Sequence, residues 1–132
     1  MIQEFVEIWD SNKNLLEKKY SQEHPDSYSQ IVFDLIHMLH DNSDEYEKPD
    51  PDRVTTINHG DYQGYLLWIV GATGYQPSKY WAASSYYGSC GGCDTYQAIR
   101  DRNYNWDDSP IKDQTEAYMT LALHLLQSFR EI

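Results

Sequence analysis

The sequence predicts an α+β domain: a small three-stranded antiparallel sheet packed against an N-terminal helical hairpin and a long C-terminal helix. Three observations lead there. Helical apolar periodicity occupies both ends of the chain, over 2–39 and from 110 onward. Between them lie three short runs rich in β-branched and aromatic residues, separated by glycine-bearing turns. Helices first, strands next and helices again is the order of an α+β domain. The chain has 132 residues, 40% of them apolar, which is enough for a core without covalent staples. Neither repeats nor a linker divide it, so 1–132 reads as one domain.

Each element has its own signature. Over 2–20, Ile2, Phe5, Trp9, Leu16 and Tyr20 fall near one helical face. Pro25 ends that pattern, and Ser27 with Gln30 forms a capping box for a second helix. The face of that helix is Tyr28, Ile31, Val32, Leu35, Ile36 and Leu39, and the short linker makes the two helices an antiparallel hairpin. Residues 41–53, DNSDEYEKPDPDR, are acidic and proline-punctuated, as in a solvated loop. They lack the glycine that turns a calcium-binding loop. Strands follow at 54–58, 65–70 and 80–87, with Gly60 and Gly64 bracketing a hairpin turn. Residues 88–93 read as a turn, after which Asp94 and Gln97 cap a short helix to about Arg100. Ser109-Pro110 is a helix start. The last helix, to about Arg130, carries the stripe Tyr118, Leu121, Ala122, Leu125, Leu126, Phe129 and Ile132.

The formal net charge of −11 argues against nonspecific binding to nucleic acids or anionic membranes, where a basic patch supplies the affinity. It suits a protein partner with a basic surface. Twelve tyrosines and four tryptophans are residue types over-used in binding surfaces. No run reaches the ~20 apolar residues that span a bilayer. The acidic, amphipathic start MIQEFVEIWD is unlike a secretory signal, so an intracellular setting with reduced thiols is expected.

Cys90 and Cys93, spaced C-x-x-C in YGSCGGCD, are the only cysteines. A redox pair wants a low-pKa thiol at a helix start, where the Asp94 carboxylate opposes thiolate formation. A zinc site needs two ligands beyond the pair. His59 is the best placed, Asp61 offers an oxygen, and His124 lies beside the stripe of the last helix. No cofactor is expected, zinc being the one that the cysteine pair could take up. His59-Gly-Asp61 followed by C-x-x-C also resembles the H-x-E…P-C-x-x-C signature of zinc nucleobase deaminases. Asp61 there replaces the glutamate and Ser89 the proline, and HGD leads into a turn rather than a helix. A cysteine nucleophile would take His59 as its base. The bland reading is a glycine-rich strand-to-helix turn in which the cysteines pack as small apolar groups. His37 and His40, one helical turn apart, and His24, in the loop before Pro25, carry less.

The stretches GDYQG, YGSCGGCD and AYMTLALHLLQ (60–64, 87–94 and 117–127) resemble a group of small proteins encoded by tailed bacteriophages. That group shows a Y-G-S-C-x-G-C-D turn and a closing helix of similar sequence. The resemblance covers the C-terminal two thirds and implies the cytoplasm of an infected bacterium. Together with the charge, it leads to the expectation of a non-enzymatic protein that binds and inhibits or redirects a host protein. An anti-defence factor of the anti-CRISPR kind, mimicking nucleic-acid charge, is one form of this. The expected contact residues are Asp41, Asp44, Glu45, Glu47, Asp50, Asp52, Tyr62 and Tyr86. The rival expectations are a metal- or thiol-dependent enzyme centred on His59, Asp61, Cys90 and Cys93, and a phage structural or assembly protein.

Overall fold

The N-terminal apolar periodicity folds as helix α1 (Ile2–Gln22), which buries Phe5, Ile8, Trp9, Leu16 and Tyr20. The computed structural model describes residues 2–61, 63–88, 94–102 and 106–132, with Ile2 described by its backbone alone. Helix α2 (Tyr28–Asn42) begins where the Ser27 hydroxyl accepts the Gln30 amide at 3.2 Å. That bond satisfies one of the amides a helix start leaves unpaired. The six residues expected on its inner face are the six it buries.

The two helices run antiparallel. Near the end of α1, Lys19 and Tyr20 donate to the Asp34 carboxylate at 2.9 and 2.7 Å. Near its start, Glu4 accepts from Ser43, just past α2, at 2.8 Å.

Strands β1 (Pro49–Gly60), β2 (Gly64–Ala72) and β3 (Tyr80–Tyr87) form an antiparallel meander. Helix α3 (Thr95–Arg100) and helix α4 (Lys112–Gln127) follow, then a two-residue strand β4 (Arg130–Glu131). The sheet order is β1-β2-β3-β4. Strand side chains alternate between faces, and here the faces differ sharply. Trp68, Val70, Ala72, Trp81 and Ala83 point into the core with the helices. Ile57, Tyr65, Leu67, Ile69, Tyr80 and Tyr86 take the opposite face. The hairpin turn requires glycine at both ends: a Cβ on Gly60 would strike the Gln63 carbonyl and one on Gly64 the His59 carbonyl.

Four expectations are corrected. The sheet has four strands rather than three, because the chain beyond α4 returns to pair Arg130 and Glu131 with Ala82 and Trp81. The last helix therefore spans Lys112–Gln127 rather than 110–130, and Ile132 is exposed instead of continuing the stripe. At its start the Gln114 side chain accepts the Ile111 amide at 3.1 Å, which moves the cap two residues past Ser109. The antiparallel α1–α2 hairpin does not form a unit of its own beside the last helix, since α1 lies chiefly against α4 and α2 touches both. Lastly, 41–53 is mostly not loop: α2 runs through Asn42 and β1 begins at Pro49. A sheet edge tolerates the two prolines there, and the pairing with β2 is interrupted between Pro49 and Val54 where they lie.

A candidate partner-binding surface

The acidic segment is a pinned rim. Asp41 sits in the last turn of α2, and Asp44 and Glu45 are exposed in the connection to β1. Glu47 is half-buried and accepts a hydrogen bond from the Ser78 hydroxyl. Asp50 accepts the Asp52 amide at 2.9 Å and pairs with the Arg53 guanidinium at 3.5 Å, while Asp52 itself is exposed. The 72–74 turn anchors the connection: Thr73 donates its amide to the Lys48 carbonyl at 2.9 Å and its hydroxyl to that of Tyr46. Arg53 donates to the Ala72 and Gly74 carbonyls. The carboxylates from Asp44 to Asp52 are thereby carried on fixed backbone at one end of the sheet, while Asp41 lines the groove between α1 and α2, so little conformational entropy would be lost when the former meet a cation.

From that rim the outer sheet face extends as a row of exposed apolar and aromatic groups. Tyr80 stacks over Gly71 beside the Arg53 stem. Ile57 is 43% exposed and Tyr65 61%. Tyr65 and Tyr86 meet edge to face with ring centres 5.5 Å apart. Strand pairing thus brings Tyr86 into line with His59, through Tyr65 between them. Tyr62 lies outside the described residues.

The metal and thiol residues are only partly placed. His59, near the end of β1, and Asp61, in the hairpin turn, are both exposed. They stand at the end of the sheet from which the chain leaves β3 at Tyr87, with β2 intervening. Cys90 and Cys93 lie outside the described residues. Among the described residues no three His, Cys, Asp or Glu side chains are grouped to hold a metal ion, and no helix is long and apolar enough to cross a membrane. The described residues on either side, Gly88 and Asp94, are held together, while the turn expected over 88–93 lies outside the described residues beyond Gly88. Asp94 caps α3 through the Gln97 amide at 3.0 Å, accepts the Tyr28 hydroxyl at 2.8 Å and takes the Gly88 amide at 3.0 Å.

Sequence reasoning missed a polar cleft of about 560 Å³ between the α1–α2 connection, α3 and the 107–109 turn. His24, Asp26, Tyr96, Arg100, Asp107 and Asp108 line it. His24 Nδ1 lies 2.6 Å from the Tyr118 hydroxyl. Arg100 and Asp108 pair at 2.9 Å. Burial, then the Arg100 charge, holds His24 below the usual imidazole range, while burial pushes the Tyr118 phenol up. A protonated phenol thus faces the ring across this short hydrogen bond. The contact ties the α1–α2 connection to α4. The signal was Tyr118 itself: a tyrosine inside an apolar stripe needs a partner for its hydroxyl.

A pH dependence follows from the depressed His24 pKa. The unfolded chain binds this proton more tightly than the folded one, so stability is complete above the ordinary histidine pKa of about 6.5. It declines as pH falls through the lower folded value. Comparing urea midpoints at about pH 7.5 and 5.5, the native protein should lose more stability than His24→Gln, which cannot titrate. Equal losses would show that His24 is not the titrating group.

Comparison with protein-family models, with curated proteins and with solved structures gave no match.

Proposed function

We propose that the protein is a non-enzymatic binder that occupies a basic surface of another protein. The observation that carries this reading is the pinned carboxylate rim joined to an exposed aromatic sheet face, on a chain of net charge −11. Fixed negative charge steers encounter with a cationic patch, and aromatic groups beside it supply contact area once the partners meet. The resemblance to small tailed-phage proteins supplies the setting. The partner is then a host protein in an infected bacterial cytoplasm, blocked or redirected by a surface that imitates the charge of a nucleic acid. An anti-CRISPR-like role is the form most in keeping with that imitation. The contact set is Asp41 at the end of α2 and Asp44, Glu45 and Asp52 on the rim, with Tyr80, Tyr65 and Tyr86 on the face.

The test is kinetic. The immobilised protein is exposed to bacterial lysate, the retained protein is identified, and its association rate is measured against salt. Replacing Asp41 and Asp44 with Asn and Glu45 with Gln should slow association roughly three- to tenfold at low salt and flatten the salt dependence. The melting temperature should stay close to the parent's, because all three side chains are exposed. A rate and salt slope equal to the parent's would remove the rim from the binding surface.

A further inference from the structure

We propose that the free edge of β1 receives an extended basic segment of the partner as an added strand. This rests on the binding reading above and specifies how the partner is held. Residues 54–60 pair with 64–70 in continuous register, and β1 is the edge of the sheet. Every second residue of that run therefore aims its amide and carbonyl away from β2. Among the described residues no other strand pairs there.

Soluble proteins blunt such edges with proline, charge or a bulge. β1 has all three, and all lie in its first half: Pro49 and Pro51, Asp50, Asp52 and Arg53, and the irregularity between Pro49 and Val54. The second half, Val-Thr-Thr-Ile-Asn-His, has none, and residues 55–60 are exposed throughout. An unblunted, β-branched edge of about six residues is a template for strand addition.

Charge selects the occupant. Exposed Asp52 and Asp61 flank the run, and no lysine or arginine lies within it. The nearest cation, Arg53, is engaged by Asp50 and two carbonyls. A second copy would bring the same two carboxylates to the edge and no cation within the run to meet them. Like charges opposed across strands are destabilising. A heterologous strand with lysine or arginine at both ends turns the same two positions into attractions. Its alternate residues would lie beside Thr55, Ile57 and His59 and continue the apolar row of the outer face.

The probe is a blocked peptide of about ten residues, with lysine at each end and alternating threonine and valine between, which spans the edge from Asp52 to Asp61. Its control carries N-methyl groups on two adjacent central amides, so that neither peptide edge can pair. With the full-length protein, the unmodified peptide should slow amide exchange within 54–60, and the methylated one should bind roughly tenfold more weakly or worse. The double variant Asp52→Asn, Asp61→Asn should weaken the lysine-ended peptide but not a version ending in glutamine. Equal binding of the two backbones, or protection falling on 41–47 instead, would overturn strand addition while leaving the basic-partner reading standing. No binding of either peptide also overturns strand addition, and the salt-dependence experiment judges the basic-partner reading separately. A dimer with 54–60 protected before any peptide is added would overturn the choice of occupant.

Discussion

Replacing Trp68 with Ala is expected to lower stability by about 3–5 kcal/mol, the usual cost of removing a large buried aromatic side chain. Trp68 is 0% exposed. It stands between Thr56 and Ala83 across the sheet, and its indole N–H donates to the Ser29 hydroxyl at 3.1 Å. The side chain thus joins the central strand to the first turns of α2, and truncation leaves both a void and an unpaired hydroxyl. Domains of this kind are stable by only about 5–15 kcal/mol, so the variant should sit near its folding threshold. Tyr65→Ala, on the same strand but the outer face, should change stability far less, because Tyr65 is mostly exposed. Urea unfolding of the two variants checks the two-faced sheet directly. Similar losses for both would mean that the outer face is covered, and the binding surface proposed for it would go with that result.

The second large effect is expected at Asp94. Its carboxylate accepts three donors, from Tyr28, Gly88 and Gln97, and the side chain is buried. The Tyr28 hydroxyl is itself held on its other side by the Tyr96 amide, at 2.9 Å. Asp94→Ala leaves these donors without their acceptor in a site closed to water. Each unsatisfied buried donor costs about 1–3 kcal/mol, so a combined loss of roughly 2–4 kcal/mol is expected after partial relaxation. Asp94→Asn keeps one carbonyl oxygen and should cost less than the alanine variant. The two are separated by thermal melts and by exchange of the Gly88 amide, which should become unprotected in the alanine variant. Retention of that protection would show that another group takes the amide, and that Asp94 does not hold Gly88 to the start of α3.

The fold class and the core were written locally in the chain. Tyr28, Ile31, Val32, Leu35, Ile36 and Leu39 repeat at helical spacing, and no other arrangement buries them all on one side. Gly60 and Gly64 set the hairpin because only glycine fits between the crossing backbones. Ser27 and Asp94 were legible as caps because a cap is a matter of three or four consecutive residues. Charge and aromatic content, which led to the binding reading, are likewise properties of composition alone.

What sequence could not decide depends on residues far apart in the chain. The ends of β1 and α4 depend on partners elsewhere: Pro49 becomes strand because Ala72 lies opposite, and Arg130 leaves the helix because Ala82 offers an open edge. His24 looked like a loop residue until Tyr118, 94 positions away, supplied its hydrogen bond. The acidic segment looked like free loop until Thr73, Ser78 and Arg53 pinned it. Periodicity and capping act over one or two helical turns, and so are visible in sequence. Edge pairing, burial of a polar tip and the fixing of a charged rim each need two distant segments to meet, and only the packed chain brings those segments together.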